Sequence, residues 1–397
     1  MKILHVTSSM NPALGGLSAC IRWVTPMLTA MGHPTEIVCL DAPGAPFLAE
    51  IPAPVHALGP TRLGYGYTPR LLPWLKKEAS RFDAVIVHGL WQYHGLGVYR
   101  ALSRSGFPPY YGFPHGMLDP WFKRHYPLKH LKKLIYWWIA ERRNLQRAAG
   151  VLFTCEEERR LARESFPGST YRECVVAYGT AAPPDEPERQ REAFFQIQPG
   201  LRDRPYWLFL GRIHEKKGVD LLIDAYGQLA AQGTALPHLV IAGPCAEAAY
   251  LRQLQKRAAT NCPPDTVVWP GMLTGDAKWG AFRGAEAFVL PSHQENFGIA
   301  VSEALACGTP VLISDQVNIW REVTGDGAGL AEPDTAAGTL QLLIRWRALD
   351  AAARARMREV ARQTFQERFE IGAVARSLIA ALQEPPSQVL PFPPHET

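Results

Sequence analysis

PSHQENFGIAVSEALACGTPVLIS, running from Pro291 to Ser314, is the stretch on which the fold turns. It follows AFVL (Ala287 to Leu290), a short apolar run that reads as a buried strand. Ser292 to Asn296 is a polar turn, and a helix is expected to open near Phe297. Gly308 and then Pro310 are the usual stop signals of a helix, and VLIS reads as the next strand. Strand, helix, strand implies parallel pairing through a right-handed crossover. Glu295 stands in the loop at the carboxyl end of the first strand, and Glu303 stands on the helix. In open α/β sheets ligands bind at that end of the strands. A helix start between two acids offers unpaired N–H groups and a positive dipole end, which suit a phosphate. Eight residues of helix rise about 12 Å at about 1.5 Å per residue. That span suits a ligand with hydroxyls at both ends and a diphosphate between them, such as a nucleotide-sugar.

The stretch resembles the donor-site signature of the retaining GT-B glycosyltransferases of family 4. The shared residues are Glu295, Phe297, Gly298, Glu303, Ala304, Ala306, Gly308, Pro310 and Val311. Two Glu at this spacing also arise on solvated helix faces, so the whole string carries the resemblance. Asn296 stands where the family usually has Gly, a change that bears on hydrogen bonding near the sugar. The resemblance implies two Rossmann-like parallel-sheet domains and transfer of a hexose to a hydroxyl with retention. Asn296, Phe297 and Gly298 join the two acids as expected donor contacts, with Glu295 toward the sugar and Glu303 toward the nucleoside.

Outward from that segment, a chain of 397 residues exceeds one ordinary core and predicts two domains. Hydrophobic residues make up 47% and charged residues 20%, a balance that excludes disordered and membrane-spanning classes. MKILHVTSSM turns polar too soon for a signal peptide and reads as a first strand. Seven scattered cysteines without metal spacing fit reduced thiols in a cytoplasmic protein.

Strand candidates in the first half are ILHV, EIVCL, AVIVH, PYYGF, VLFTC and CVVAY, separated by helical stretches. Such alternation predicts a doubly wound parallel sheet over residues 1–183. Pro26 is expected to kink or divide the first helix, and Ala42 to Pro60 reads as loops. Residues 184–204 are polar with Pro near both ends and read as an interdomain linker. The pattern restarts over 205–360 with WLFLG, HLVIAG, TVVWPG and AFVL. Paired domains of this kind imply a ligand cleft between them. A terminal helix within 361–397, which in similar enzymes crosses back to the first domain, leads into a Pro-rich tail expected to fray.

LFLGRIHEKKG places Gly211, Arg212 and Lys217 directly after a strand. It is not a Walker loop, because the Gly spacing is wrong and no Ser or Thr follows the lysine. It resembles the family's G-R-x4-K-G element, in which Arg and Lys grip the donor diphosphate. Fixed cations there would stabilise charge developing on the leaving phosphate. Lys216 is the rival of Lys217. Gly15 and Gly16 follow the first strand, where Gly permits close backbone approach to a ligand. PHGML sets His115 just past a strand end; the family's active-site His follows the equivalent strand, with His88 and His94 as competitors.

Trp121 to Arg147 carries eight Lys or Arg against the single acid Glu141, with Trp and Tyr interleaved. Such stretches lie on anionic membrane surfaces. The alternative is an ordinary helix that packs Leu131, Leu134, Ile135 and Trp138 into the core. Nucleic acid is not expected as a partner, since no fold or aromatic motif supports it.

No DxD motif and no ligand-spaced His/Cys/Asp cluster occurs, so no metal and no other cofactor is expected. The partners implied are a UDP- or GDP-sugar donor and a glycan or lipid-linked acceptor of surface-polysaccharide synthesis, handled in the cytoplasm or on the inner membrane face. A non-catalytic nucleotide-sugar-binding protein and a GT-B nucleotide-sugar epimerase are the competing readings.

Overall fold

A computed structural model describes residues 1–384 except 15, 62–63, 105, 169 and 234. Gly15 and the Pro-rich tail therefore lie outside the described residues. The chain divides into two compact units, Met1–Tyr178 with the segment from Ile371 onward, and Gly179–Glu370.

The first unit holds seven parallel strands. They are β1 (Ile3–Thr7), β2 (Thr35–Cys39), β3 (Val55–Ala57), β4 (Ala84–His88), β5 (Tyr110–Phe113), β6 (Gly150–Phe153) and β7 (Glu173–Val175). Their order is β3-β2-β1-β4-β5-β6-β7. The second unit holds β8 (Tyr206–Leu210), β9 (His238–Ala242), β10 (Val267–Gly271), β11 (Ala287–Leu290), β12 (Val311–Ser314) and β13 (Gly329–Glu332). Their order is β10-β9-β8-β11-β12-β13, again all parallel. Central strands such as ILHVT, AVIVH and AFVL are buried along their whole length, as strands covered by helices on both faces must be. In each sheet the winding reverses once, between β1 and β4 and between β8 and β11. At such a reversal the two connections leave in opposite directions and open a crevice at the carboxyl ends of the strands.

Four readings are corrected. Residues 184–204 are no linker: they contain the helix Pro187–Ile197, which packs on the helix Gly275–Gly284 within the second unit. Its Phe194 is wholly buried beside Tyr206, and a side chain added at Gly280 would meet the Gln190 carbonyl at 1.9 Å. The charged residues that suggested a linker lie largely on the other face, where Arg202 pairs with Glu192. Of the two expectations for Pro26, division of the first helix is the one overturned, since Gly16–Ala30 is a single helix. The helical stretch 361–382 is interrupted at Phe365–Phe369, so the chain rejoins the first unit with the helix Ile371–Gln383. There Ser377 Oγ accepts the Ala177 N–H at 2.9 Å. Val55–Ala57, in the stretch read as loops, and Gly329–Glu332 are short strands at sheet edges.

Phe194→Ala should lower unfolding stability of the full chain by about 3–5 kcal/mol, the cost of removing a buried phenyl ring. Urea unfolding measures it; a loss under about 0.5 kcal/mol, typical of an exposed site, would return the segment to linker status.

Candidate functional site

The second unit's crevice is built from the loops after β8 and β11. β8 ends at Leu210, and the chain passes Gly211 and the exposed Arg212 into a tight turn, Glu215–Lys217. Gly218 ends that turn at φ +63° and starts the helix Val219–Ala230. A Cβ at Gly218 would lie 2.1 Å from the Pro291 carbonyl oxygen, so only glycine lets the turn close on the exit of β11. The closure is locked by the His293 N–H donating to the Lys216 carbonyl at 2.8 Å.

Across this contact the Lys217 ammonium donates to the Glu295 carboxylate. Burial, with Arg212 and Lys216 adding repulsion, pulls the Lys217 ammonium down to about 8. Of the two rival lysines, Lys217 therefore reaches Glu295. The Glu295 backbone is held on both sides: its N–H donates to Gln316 O and its carbonyl accepts from Asn318 N, each at 3.0 Å. These partners belong to the loop after β12, a support that nothing in the local sequence signalled.

The turn after Glu295 does three separate jobs. Asn296 Oδ1 accepts from Asn318 Nδ2 at 3.4 Å, tying the residue that departs from the family pattern to the same supporting loop. The Phe297 side chain is buried edge-on against Phe369, so it anchors the turn by packing. Gly298, at φ +81°, caps the helix Ile299–Ala306, whose first amides lack intrahelical acceptors. One turn into that helix, Glu303 is 7% exposed and accepts from Lys278 Nζ at 2.8 Å. Lys278 was not singled out in the sequence. It lies in TGDAKWGAFRG, and only the packing of the helix Gly275–Gly284 beside Ile299–Ala306 reveals its partner. Each acid of the pair thus carries its own lysine.

The candidates of the first unit form a separate group. His115 follows β5 with a left-handed backbone (φ +50°), uncommon for a residue with a side chain. The next N–H, of Gly116, donates to Glu158 at 2.5 Å. Its ring stacks on Phe113, with centroids 4.0 Å apart, and meets Tyr178 edge-on at 5.6 Å. Tyr178 Oη donates to the Gly16 carbonyl at 3.3 Å, linking the loop after β1 to His115. The two competing histidines are neighbours of His115. His88 Nδ1 lies 2.9 Å from His115 Nε2, and buried His94 faces the His88 carbonyl at 2.8 Å. Among the described residues, no group of three or more His, Cys, Asp or Glu could hold a metal ion.

Residues 190–364 match the family model of glycosyl transferases group 1, and residues 15–179 match the glycosyl transferase 4-like domain. Each half of the chain is thus similar to a glycosyl transferase family, and the fold is the GT-B one. The chain is similar to a D-inositol 3-phosphate glycosyltransferase of Jonesia denitrificans, with 30% identity over 57% of this chain and 55% of the relative. It also resembles a mannosylfructose-phosphate synthase of Agrobacterium fabrum, at 34% identity over 32% of this chain and 29% of that protein. The aligned part thus spans about half or less of these curated relatives. Among solved structures, Anabaena HepE in complex with UDP-glucose superposes with a TM-score of 0.70 at 16% identity. That superposition covers 96% of this GT-B chain and 99% of HepE, and it establishes the shared fold.

Binding of a nucleoside diphosphate should weaken as pH rises through about 8, where Lys217 loses its proton. The sign follows from burial, which lowers the ammonium pKa, so the charge is complete only on the acid side. Calorimetric titrations between pH 6.5 and 9.5 should show the loss in the wild type and in Lys216→Ala. Lys217→Arg, whose guanidinium keeps its charge, should flatten it. An equal slope in Lys217→Arg would remove Lys217 from the anion site.

Proposed function

We propose that this GT-B chain transfers a hexosyl group from a UDP- or GDP-sugar to a hydroxyl, with retention and without a metal. The observation that carries the reading is the arrangement at the β8/β11 reversal: two ammonium–carboxylate pairs with a helix amino terminus between them. A diphosphate at Lys217 and Arg212 would leave Glu295 free to accept hydrogen bonds from hydroxyls of the sugar. Glu303 lies toward the other end of such a ligand, where a ribose diol would donate to it. Departure of the sugar leaves a doubly charged phosphate, and Arg212 and Lys217 stabilise that charge as it develops. The phosphate oxygen can then take the proton of the attacking hydroxyl, so no protein nucleophile is required. UDP and UDP-glucose in the HepE crystals support a nucleotide-sugar as donor.

Arg212→Ala and Lys217→Ala should each lower turnover by about 10²-fold or more, the scale for removing one electrostatic stabiliser. Glu303→Gln should mainly weaken binding of free nucleotide, whereas Glu295→Gln should mainly lower the rate with intact donor. Equal losses of nucleotide affinity in both variants would refute that division. Turnover in excess chelator is expected to persist; restoration only by magnesium or manganese would overturn the metal-free course. An epimerised nucleotide-sugar formed without any acceptor would favour the epimerase reading, and tight donor binding without turnover the non-catalytic one.

A lipid-linked acceptor and a peripheral place on an anionic membrane, as in the synthesis of surface polysaccharide, form the finer part of this reading. The helix Pro127–Tyr136 and its continuation carry Leu128, Leu131, Ile135, Trp138 and Ile139 as exposed side chains, Leu128 at 82%. Three residues of the expected core face, Leu131, Ile135 and Trp138, thus face outward, while Leu134 alone packs inward. Lys129 and Lys132 flank them, exposed. Lys133 does not, because it lies over the rings of Trp91 and Phe122. Glu141, the only acid of the stretch, is buried and pushed up to about 7 by desolvation. Among the described residues no helix is long and apolar enough to cross a membrane. Apolar insertion with flanking lysines is the surface-binding alternative.

Leu128→Gln with Leu131→Gln and Ile135→Gln should abolish pelleting with phosphatidylglycerol vesicles at any salt. Lys129→Glu with Lys132→Glu should weaken it by about 1 kcal/mol or more per lysine, an effect that high salt mimics. Nucleotide affinity should not change in either. Unchanged pelleting of the leucine variant, or none of the wild type, would remove the membrane from the reading.

A further inference from the structure

β1 and β4 pair in parallel across the reversal of the first sheet, and each contributes a histidine to its interior. His5 is fully buried in β1, and His88 is 4% exposed at the end of β4. His5 Nδ1 lies 2.7 Å from His88 Nε2, and His88 Nδ1 lies 2.9 Å from His115 Nε2. The three imidazoles form a single file from the centre of the sheet to the loop after β5. Burial lowers His5 to about 4 and His115 to about 3, and takes His88 well below its ordinary value, so all three are neutral at pH 7.

A neutral imidazole has one N–H and one bare nitrogen, and each contact in the file needs one of each. Both nitrogens of His88 are engaged, so the protons admit only two arrangements. In one, all three rings carry Nδ1–H: His5 donates to His88, His88 donates to His115, and His115 keeps Nδ1–H for another acceptor. In the other, all three carry Nε2–H, the donations run inward, and the file ends on an N–H at His5 Nε2. That atom is buried and has no hydrogen-bond partner. A buried N–H without an acceptor is among the rarest defects of native structures. The first arrangement leaves only a bare nitrogen there. The adjacent His94 leaves the same kind of atom unpartnered: its Nε2–H donates to the His88 carbonyl, and its bare Nδ1 is buried without a partner.

We infer that His5 and His88 are positioning residues that fix the tautomer of His115, making it a hydrogen-bond donor through Nδ1–H toward an oxygen of the substrate. The substrate contact rests on the proposed transferase function; the tautomer does not. The file also has no outlet for a proton, because its inner end is the enclosed His5 Nε2. His115 in this arrangement orients a hydroxyl or phosphate oxygen and does not take a proton from it. The left-handed backbone at His115 is the conformational cost of bringing that ring to the end of the file, held by the Gly116–Glu158 hydrogen bond.

Long-range ¹H–¹⁵N spectra of the full-length protein with ¹⁵N-labelled histidine, at pH 7, decide the tautomers. The expected result is protonated Nδ1 at His5, His88 and His115, and protonated Nε2 at His94. Protonated Nε2 at His115 overturns the inference, whatever the activity. His5→Leu removes the innermost donor and should let His115 populate both tautomers, with kcat down about tenfold, roughly one hydrogen bond, and donor KM unchanged. His5→Asn, whose amide can donate at the Nδ1 position, should recover the His115 signature and most of kcat. A His5→Leu protein that keeps both the signature and kcat overturns the relay. Should the tautomers be as expected while His115→Ala retains full turnover, the active-site role of His115 falls and the file stands.

Discussion

The second unit depends on one close approach, the Gly218 peptide lying against the Pro291 carbonyl. The space between them excludes even a methyl group. That contact brings the carboxyl ends of β8 and β11 together at the reversal in strand order, and the chemistry follows from it. Lys217 precedes Gly218 by one residue and Glu295 follows Pro291 by four, so the pinned backbones deliver an ammonium and a carboxylate to one point. Supporting bonds to Gln316 and Asn318 then fix the acid from the β12 side. A site on rigid strand ends keeps its geometry without ligand, which limits the ordering cost of binding.

The site is also electrostatically closed on itself. Lys217 is held by Glu295 and Lys278 by Glu303, so neither acid waits as an isolated buried charge. Removing one member would leave the other uncompensated, which costs far more than the pair contributes. On the proposed donor reading, a diphosphate would exchange one anion for another at Lys217 and leave Glu295 as a bare acceptor for a sugar hydroxyl. Depression of the lysine pKa is the counterpart of that arrangement: burial and two neighbouring cations make Lys217 demand an anion.

How much of this could be read beforehand varies with the range of the interaction. AFVL and VLIS have the observed limits of β11 and β12, because short apolar runs bounded by turn residues leave little choice. Glu295, Gly298 and Glu303 were legible for the same reason: loop, cap and helix face are local. Lys278 was not, since its partner is 25 residues away and only helix packing joins them. The helix Pro187–Ile197 was misread because its charged and amide residues together outnumber its apolar ones, while one buried Phe194 commits it to the core. The outward face of Leu128, Leu131 and Ile135 is the reverse case. Helical periodicity showed an apolar stripe, but nothing in the period says which way the stripe faces.

The histidines show the same limit at the scale of single protons. His88 at a strand end, His94 in the following helix and His115 after a strand looked like three alternatives for one role, and His5 was not among them. Parallel register sets Thr7 opposite His88 and so carries His5 beneath it, while β5, the next strand, brings His115 alongside. The competition therefore dissolves into a file in which one ring is presented and two determine how. Burial supplies the remaining constraint, since a neutral ring has one proton to place and the orphaned His5 Nε2 makes the inward direction costly. Register and burial together thus bear on which nitrogen of a half-buried loop histidine carries hydrogen.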